Sequence, residues 1–483
     1  MEHKHSFIYW SASLHITLTD PARRLANRAI LNSSSPSRNQ KIMDSEHKAI
    51  SDEVSDDINK LVQTLRRKTE MLKYNKTLRR KSSHWGIYRV SPRLRDLNKK
   101  AYTPEVVSIG PYHHGKHELR VMEEHKRRYL VDFLQRCEIS LEEYIESIQE
   151  LEVPLRNVYA EIIEHSRVKF IEIMAVDGAF LLEYFLKGFS GDCSSNDHIP
   201  NRQRLALDVR YDILMIENQL PFFLLEFLFE LLKKPQPDGG LSLTKIVVKG
   251  LKDATGWEWL AIDNIINGDM EVNRDMEAEH LIDFLDICQQ HSYVASDERR
   301  ECESLTTPTI SELHRAGVKF KPSSSKWLYD VKFNNGILEI PNLKLGDGQT
   351  IVMSNLQAFE QGHFTYKYMN AYTYIIDMLI NNEEDVELLV KNGIVENWLH
   401  DNRAAAAMIN DLGKGCLVTS YDLHFAGLIQ DLNAYYKKPW NKWKATLKEK
   451  YFSSPWTVIS VIAAAFLLLL AIIQTVMSTL QIV

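Results

Sequence analysis

The sequence predicts a mainly α-helical cytosolic body carrying a small antiparallel β-sheet, followed by one C-terminal transmembrane helix. Three observations predict it. Apolar residues recur at spacings of three and four in VMEEHKRRYLVDFLQR and VKFIEIMAVDGAFLLEYFL, the period of a helix packed on one side. The pattern changes around Asn334-Asn335-Gly336, and Asn-Gly between apolar runs is a strong hairpin signal. The 33 residues that follow Lys450 in the chain of 483 carry no charged side chain.

The composition, 45% hydrophobic and 25% charged, is that of an ordinary globular protein long enough for two or three domains or one large helical one. A formal charge of −6 is small for this length and favours no class of partner. Cys137, Cys193, Cys288, Cys302 and Cys416 are odd in number and never form a CxxC pair. That pattern argues against a disulfide scaffold or zinc ribbon and fits a reducing compartment.

Taken in order, residues 1–84 are expected to be a variable, largely disordered region, with one helix around Asp56–Tyr74. Residues 6–18 are mildly apolar but broken by Ser and His and followed by no clear cleavage site, so no secretory signal is expected. Met43 opens a plausible start, which makes residues 1–42 a dispensable leader. Between Arg66 and Lys100 there are 13 basic residues against Glu70 and Asp96, a block suited to an anionic surface or acidic partner.

Residues 85–452 read as one mainly helical domain. Helices fill 121–187, and GFSGDCSSNDHIPN at 188–201 is expected to be a surface insert. Ile213–Leu232 is very apolar, but Glu217, Glu226 and Glu230 would each cost about 2.5–3.5 kcal/mol near a bilayer centre. Asn218 and Pro221 mark a helix break and restart, so this stretch belongs to the protein core. A hairpin is placed near 316–345, with residues 316–321 as a third strand. Helical period returns in TYKYMNAYTYIIDMLI and EDVELLVKNGIVENWL.

The anchor is assigned to residues 456–476, with 477–483 as a short tail. Trp456–Val476 holds twelve Val, Ile, Leu or Phe residues. They favour insertion by roughly 4–7 kcal/mol, and 21 residues span about 31 Å against a ~30 Å hydrocarbon core. Lys437, Lys438, Lys442, Lys444, Lys448 and Lys450 precede the segment and no basic residue follows it, which keeps the bulk of the protein cytosolic. Trp440, Trp443, Tyr451 and Phe452 alternate with those lysines, a composition suited to the headgroup layer. The expected partners are the lipid bilayer through 456–476 and a protein bound by the cytosolic domain. Nucleic acid is not expected.

Several motifs together resemble the plant family of domain of unknown function 247. They are Ile87-Tyr-Arg-Val90, Ala101-Tyr-x-Pro104, Val107-Ser-Ile-Gly-Pro-Tyr-His-His-Gly115, Met122-Glu-x-His-Lys126 and Arg128-Tyr-Leu130. Asp177-Gly178, Glu217-Asn-Gln-Leu-Pro-Phe-Phe223, Ala316-Gly-Val-Lys-Phe320, Asn335-Gly-x-Leu-Glu-Ile-Pro341 and Ala358-Phe-Glu-Gln361 follow in the family's order. Trp440-Asn-x-Trp443 and Tyr451-Phe-x-x-Pro-Trp456 complete the set, over residues 85–476. The resemblance implies a C-terminal anchor and no assigned catalytic residues. Some members are implicated in pollen–stigma recognition in grasses, which implies a recognition or signalling role. The first 42 residues have no counterpart in the family.

His113, His114, His117 and His125 form the densest histidine group, but Gly115 interrupts any helical ligand spacing and no cysteine lies nearby. His280, Cys288, His291 and Cys302 are spaced unlike any common zinc finger. Gly188-Phe-Ser-Gly191 lacks the spacing of a nucleophile elbow, and Gly346-Asp-Gly348 lacks the rest of a phosphate loop. Glu217 is either a buried acid with a raised pKa or a helix-terminal residue ordering the break before Pro221. No catalytic, cofactor-binding or metal-ligating residue is assigned. The reading is a membrane-tethered, non-enzymatic recognition, signalling or scaffold protein; the alternative is a hydrolase or transferase with an unrecognised active site.

Overall fold

A computed structural model of the chain describes residues 58–59, 61–63, 66, 86–191, 197–232, 242–255, 278–290, 305–325, 327–362, 367–418, 424–439 and 455–480. The chain divides into two units, Met1–Arg80 and Lys81–Val483. The architecture below belongs to the second.

The short helix α1 (Pro92–Leu97) runs into a 3-10 turn, Lys99–Tyr102, and a second one, His117–Leu119, leads into α2 (Arg120–Cys137). Ser140 then closes a capping box with Glu143 at the head of α3 (Leu141–Glu150), followed by α4 (Glu152–Asn157). Ser166 accepts from Lys169 N at 3.2 Å and starts α5 (Arg167–Ser190). Gly191, at φ +70°, ends it in the left-handed conformation. The expected surface insert therefore begins only after residues 188–190 have completed the helix.

α5 is the central element of the first half, because it is buried around most of its circumference between Phe170 and Leu186. Phe170, Met174, Phe180 and Leu182 are fully buried, and α2 and α3 pack along it. The helices α6 (Gln203–Asp212), α7 (Phe222–Glu230) and α8 (Leu243–Thr255) follow, and α7 and α8 pack on α5 as well. The expected break falls where it was placed. Residues 213–221 are non-helical and Pro221 stands at the N-cap of α7.

The second half has α9 (Leu281–Gln290) and α10 (Ile310–Arg315), then strands β1 (Lys319–Pro322), β2 (Lys332–Asn334), β3 (Ile337–Ile340) and β4 (Leu343–Leu345). Next come α11 (Asp347–Gly362), α12 (Tyr368–Leu379), α13 (Glu383–Lys391), β5 (Val395–Asn397), α14 (Asn402–Lys414), α15 (Ala426–Lys437) and α16 (Pro455–Leu480). Buried through most of its length, α11 packs on α8, α9, α12 and α14. β2 and β3 form the expected hairpin, with Asn335 at φ +51° and Gly336 at φ +78° in its turn. Both angles are positive, as a type I′ turn requires.

Three expectations are corrected. The sheet is not simply antiparallel: β1 joins β3 in parallel, giving the order β1-β3-β2. A parallel partner needs no tight turn and so leaves no local sequence signal. Helical period was read through residue 399, yet α13 stops at Lys391 and β5 pairs in parallel with β4. The third correction concerns the transmembrane helix expected over 456–476. A helix does form, α16, but among the described residues no helix is long and apolar enough to cross a membrane. The expected helix at Asp56–Tyr74 lies mostly outside the described residues, as does the aromatic, lysine-rich segment from Trp440.

Candidate functional site

The loop at 105–116 carries almost no regular structure, and most of it is buried. Buried backbone N–H groups must find partners, and here buried side chains from distant parts of the chain supply them. Asp212, at the end of α6, accepts from Glu105 N, Val106 N and Val107 N at 2.8–2.9 Å. Asn218 accepts from Ile109 N at 2.7 Å and donates to Val107 O at 3.0 Å. Asp177, in the middle of α5, accepts from Gly110 N at 2.9 Å. Gly110 has φ +74°, and a Cβ there would lie 2.6 Å from the Gln219 carbonyl oxygen. Only glycine fits that contact.

Two charged groups complete the hub. Lys126, fully buried on α2, donates to Asp177 Oδ1 at 2.5 Å and Ser108 O at 3.0 Å, and lies 2.6 Å from Glu123. Glu217 accepts from Val90 N at 2.7 Å and from the Arg95 guanidinium, with Arg89 at 3.7 Å. His113 Nε2 stands 3.4 Å from Glu217 Oε2 without hydrogen-bond alignment.

Burial raises the Glu217 carboxyl, but His113, the Val90 N–H and Arg95 together outweigh it and hold it below the usual carboxylate range. The raised-pKa reading of Glu217 is thus corrected: the residue is an ionised anchor for the chain at 89–95. Asp177 behaves oppositely. Burial lifts it to about 6, opposed by Lys126. Asp212 is lifted by burial to about 7 despite its three N–H donors.

The histidines are spread through this frame. His113 is buried and its ring is held neutral, mainly by burial. Lys116 Nζ lies 2.7 Å from Nδ1, which makes Nδ1 the acceptor. His114 meets His165 edge to face at 5.8 Å, and His125 meets His198 at 5.5 Å. His280 Nε2 donates to Gly86 O at 2.9 Å while Nδ1 accepts from Asp283 N. Cys288 is buried and its thiol is pushed up to about 12 by burial. His291 and Cys302 lie outside the described residues. Among the described residues, no group of three or more His, Cys, Asp or Glu is placed to hold a metal ion.

A groove of about 590 Å³ opens on the other side of α11 and α1. It is lined by Leu97 and Tyr102, by Thr350 and Ser354 of α11, and by Met408 of α14. Trp398 also lines it, 68% exposed, with its backbone N–H donating to Leu345 O at 2.9 Å. The parallel pairing of β4 with β5 therefore fixes where this indole stands. The groove went unread in the sequence because its walls come from segments some 300 residues apart. Asp177 and Lys126 left a fainter sign: each is a charge on the apolar period of its helix.

Sequence comparisons agree with the motifs that converge on the hub. The profile of DUF247, described as a plant protein of unknown function, matches residues 87–470. The chain is 29% identical over 424 residues to UPF0481 protein At3g47200 of Arabidopsis thaliana, covering 82% of this chain and 86% of the relative. It is 26% identical over 484 residues to Putative UPF0481 protein At3g02645, also of Arabidopsis thaliana, covering 80% and 89%. No solved structure matches the chain. With most of its length matched, the chain belongs to the DUF247 family of plant proteins of unknown function.

Proposed function

We propose that this protein is a non-enzymatic recognition or scaffold protein that works at the cytosolic face of a membrane. The groove beside Trp398 carries the reading. Its volume lies within the ~300–1,000 Å³ typical of binding pockets, and it joins apolar walls to a few convergent polar groups. An indole that is two-thirds exposed in a body this well packed is a recognition feature, since Trp is enriched at binding hot spots. The reactive groups of the hub have structural employment: Asp212, Asp177 and Glu217 each accept backbone N–H groups of the 90–110 region.

Membrane association draws support from α16 and the chain before it. Ile459, Ile462, Phe466, Leu467, Leu468 and Ile472 are all more than half exposed. Such a patch needs a partner surface. The lysines between 437 and 450 suit anionic lipid.

The test is fractionation of plant cells expressing the tagged chain, followed by cross-linking of the membrane pellet through Lys344 and Lys414 beside the groove. Recovery in the pellet with a reproducible protein cross-linked at those lysines is the expected result. A soluble chain with no cross-linked partner would overturn the proposal, as would turnover of a substrate lost on substitution of a single polar residue.

A further inference from the structure

The groove described above has a charge character that narrows its partner. We propose that it takes an apolar peptide segment bearing a basic side chain, supplied by another protein; this rests on the recognition reading above. Among the described residues, the only formally charged side chains lining the groove are Asp347 and Asp411. Asp347 sits exposed at the first turn of α11 and makes no hydrogen bond or ion pair with a described residue. Among the described residues Asp411 pairs only with Lys414, one helical turn on, at 2.7 Å. Both members of that pair are well exposed, so it is weak and open to exchange for an incoming cation.

The apolar surface is arranged to receive side chains. Ala404 and Ala407 of α14 line it with small side chains, and Met408, also in the lining, is adaptable. Leu97 remains partly exposed across the groove from them. Trp398 offers a ring face to a cation, and Lys344 Nζ already lies 5.8 Å from its centroid. Gln357 is buried beneath, with its amide N–H groups committed to Leu412 O and Cys416 Sγ. An aliphatic or aromatic anchor would enter between Leu97 and Met408. An Arg or Lys a turn away would reach Asp347 or Asp411, the helix-in-groove mode of recognition.

Binding to the full chain in neutral phosphatidylcholine nanodiscs tests this by fluorescence polarisation. The probe is a labelled twelve-residue amphipathic peptide of Leu, Phe, Ala and Arg, with a control in which every Arg is Glu. Saturable binding is expected, weakened at least about tenfold by W398A, by the pair D347N/D411N, and by the Arg-to-Glu control. Both variants change exposed side chains, and unchanged thermal midpoints check their folding. If W398A alone is unfolded, D347N/D411N decides. No saturation below about 100 µM, equal affinity of the variants, or equal binding of the glutamate peptide overturns the proposal. So does peptide-independent self-association of the wild type that W398A abolishes, which would make the occupant a second copy. A protein cross-linked at Lys344 and Lys414 without saturable binding of the arginine peptide would sink the basic-peptide assignment while leaving the recognition reading intact.

Discussion

Glu217 shows how one carboxylate can organise a segment without doing chemistry. Its folded pKa lies below the ordinary value, so the unfolded chain binds more protons between the two. Its contribution is therefore complete above about pH 5 and is lost as pH falls through the folded value. Glu217→Gln should cost about 2 kcal/mol at neutral pH, with the gap to wild type narrowing towards pH 3. Urea midpoints at the two pH values check this, and a gap that stays constant counts against it. For Lys126 and Asp177 the expectation differs. Asp177→Asn leaves a buried ammonium short of its main partner and should cost about 3 kcal/mol. Lys126→Met combined with Asp177→Asn should cost less than the sum of the two, by at least about 1 kcal/mol in a double-mutant cycle.

At the scale of elements, what could be read in the sequence was what is local. The Asn334–Gly336 hairpin, the helices of 121–187 and the break before Pro221 each depend on residues within a few positions of one another. β1 forms where a third strand was expected, but its parallel pairing and the β4–β5 pair left no local sign, because the partners lie far along the chain and run in parallel. The hub was half visible: Asp177, Lys126, Glu217 and Asn218 all stand in the motifs, but nothing local says that Asp212 receives three N–H groups from residues 105–107. The hairpin turn offers a sharp test. A Cβ on Gly336 would lie 2.8 Å from the Tyr435 hydroxyl, in a backbone conformation that other L-residues resist. Gly336→Ala should cost about 1–2 kcal/mol, seen as a lower thermal midpoint. Asn335→Gly, which relaxes the neighbouring positive φ, should be nearly neutral.

For the whole molecule, two surfaces stand apart from the well-packed body: the groove and the apolar side of α16. Exposed apolar area on this scale drives association unless something covers it. A chain ending at Lys450 should run as a single species in detergent-free buffer, whereas the full chain should need detergent or lipid to do so. Light scattering behind a sizing column distinguishes the two. Aggregation of the shortened chain would show that another surface is responsible.

The ties around residues 87–110 also bear on time. Tyr88 bonds Ala358 O across 270 residues, Asn355 bonds Ala101 O across 254, and Asp212 holds Val107 across 105. Loop closure must come before such contacts can help, so they form late and slow the approach to the native state. During synthesis the early segment must wait until residue 358 has left the ribosome, tens of seconds at about 5–20 residues per second. Once the late helices lock in, the early segment can let go only when they do. The amides of Val107, Ile109 and Gly110 should therefore exchange with solvent only through global opening, at the slowest rates in the protein. Faster exchange there than in the middle of α5 would mean that this strap opens by itself.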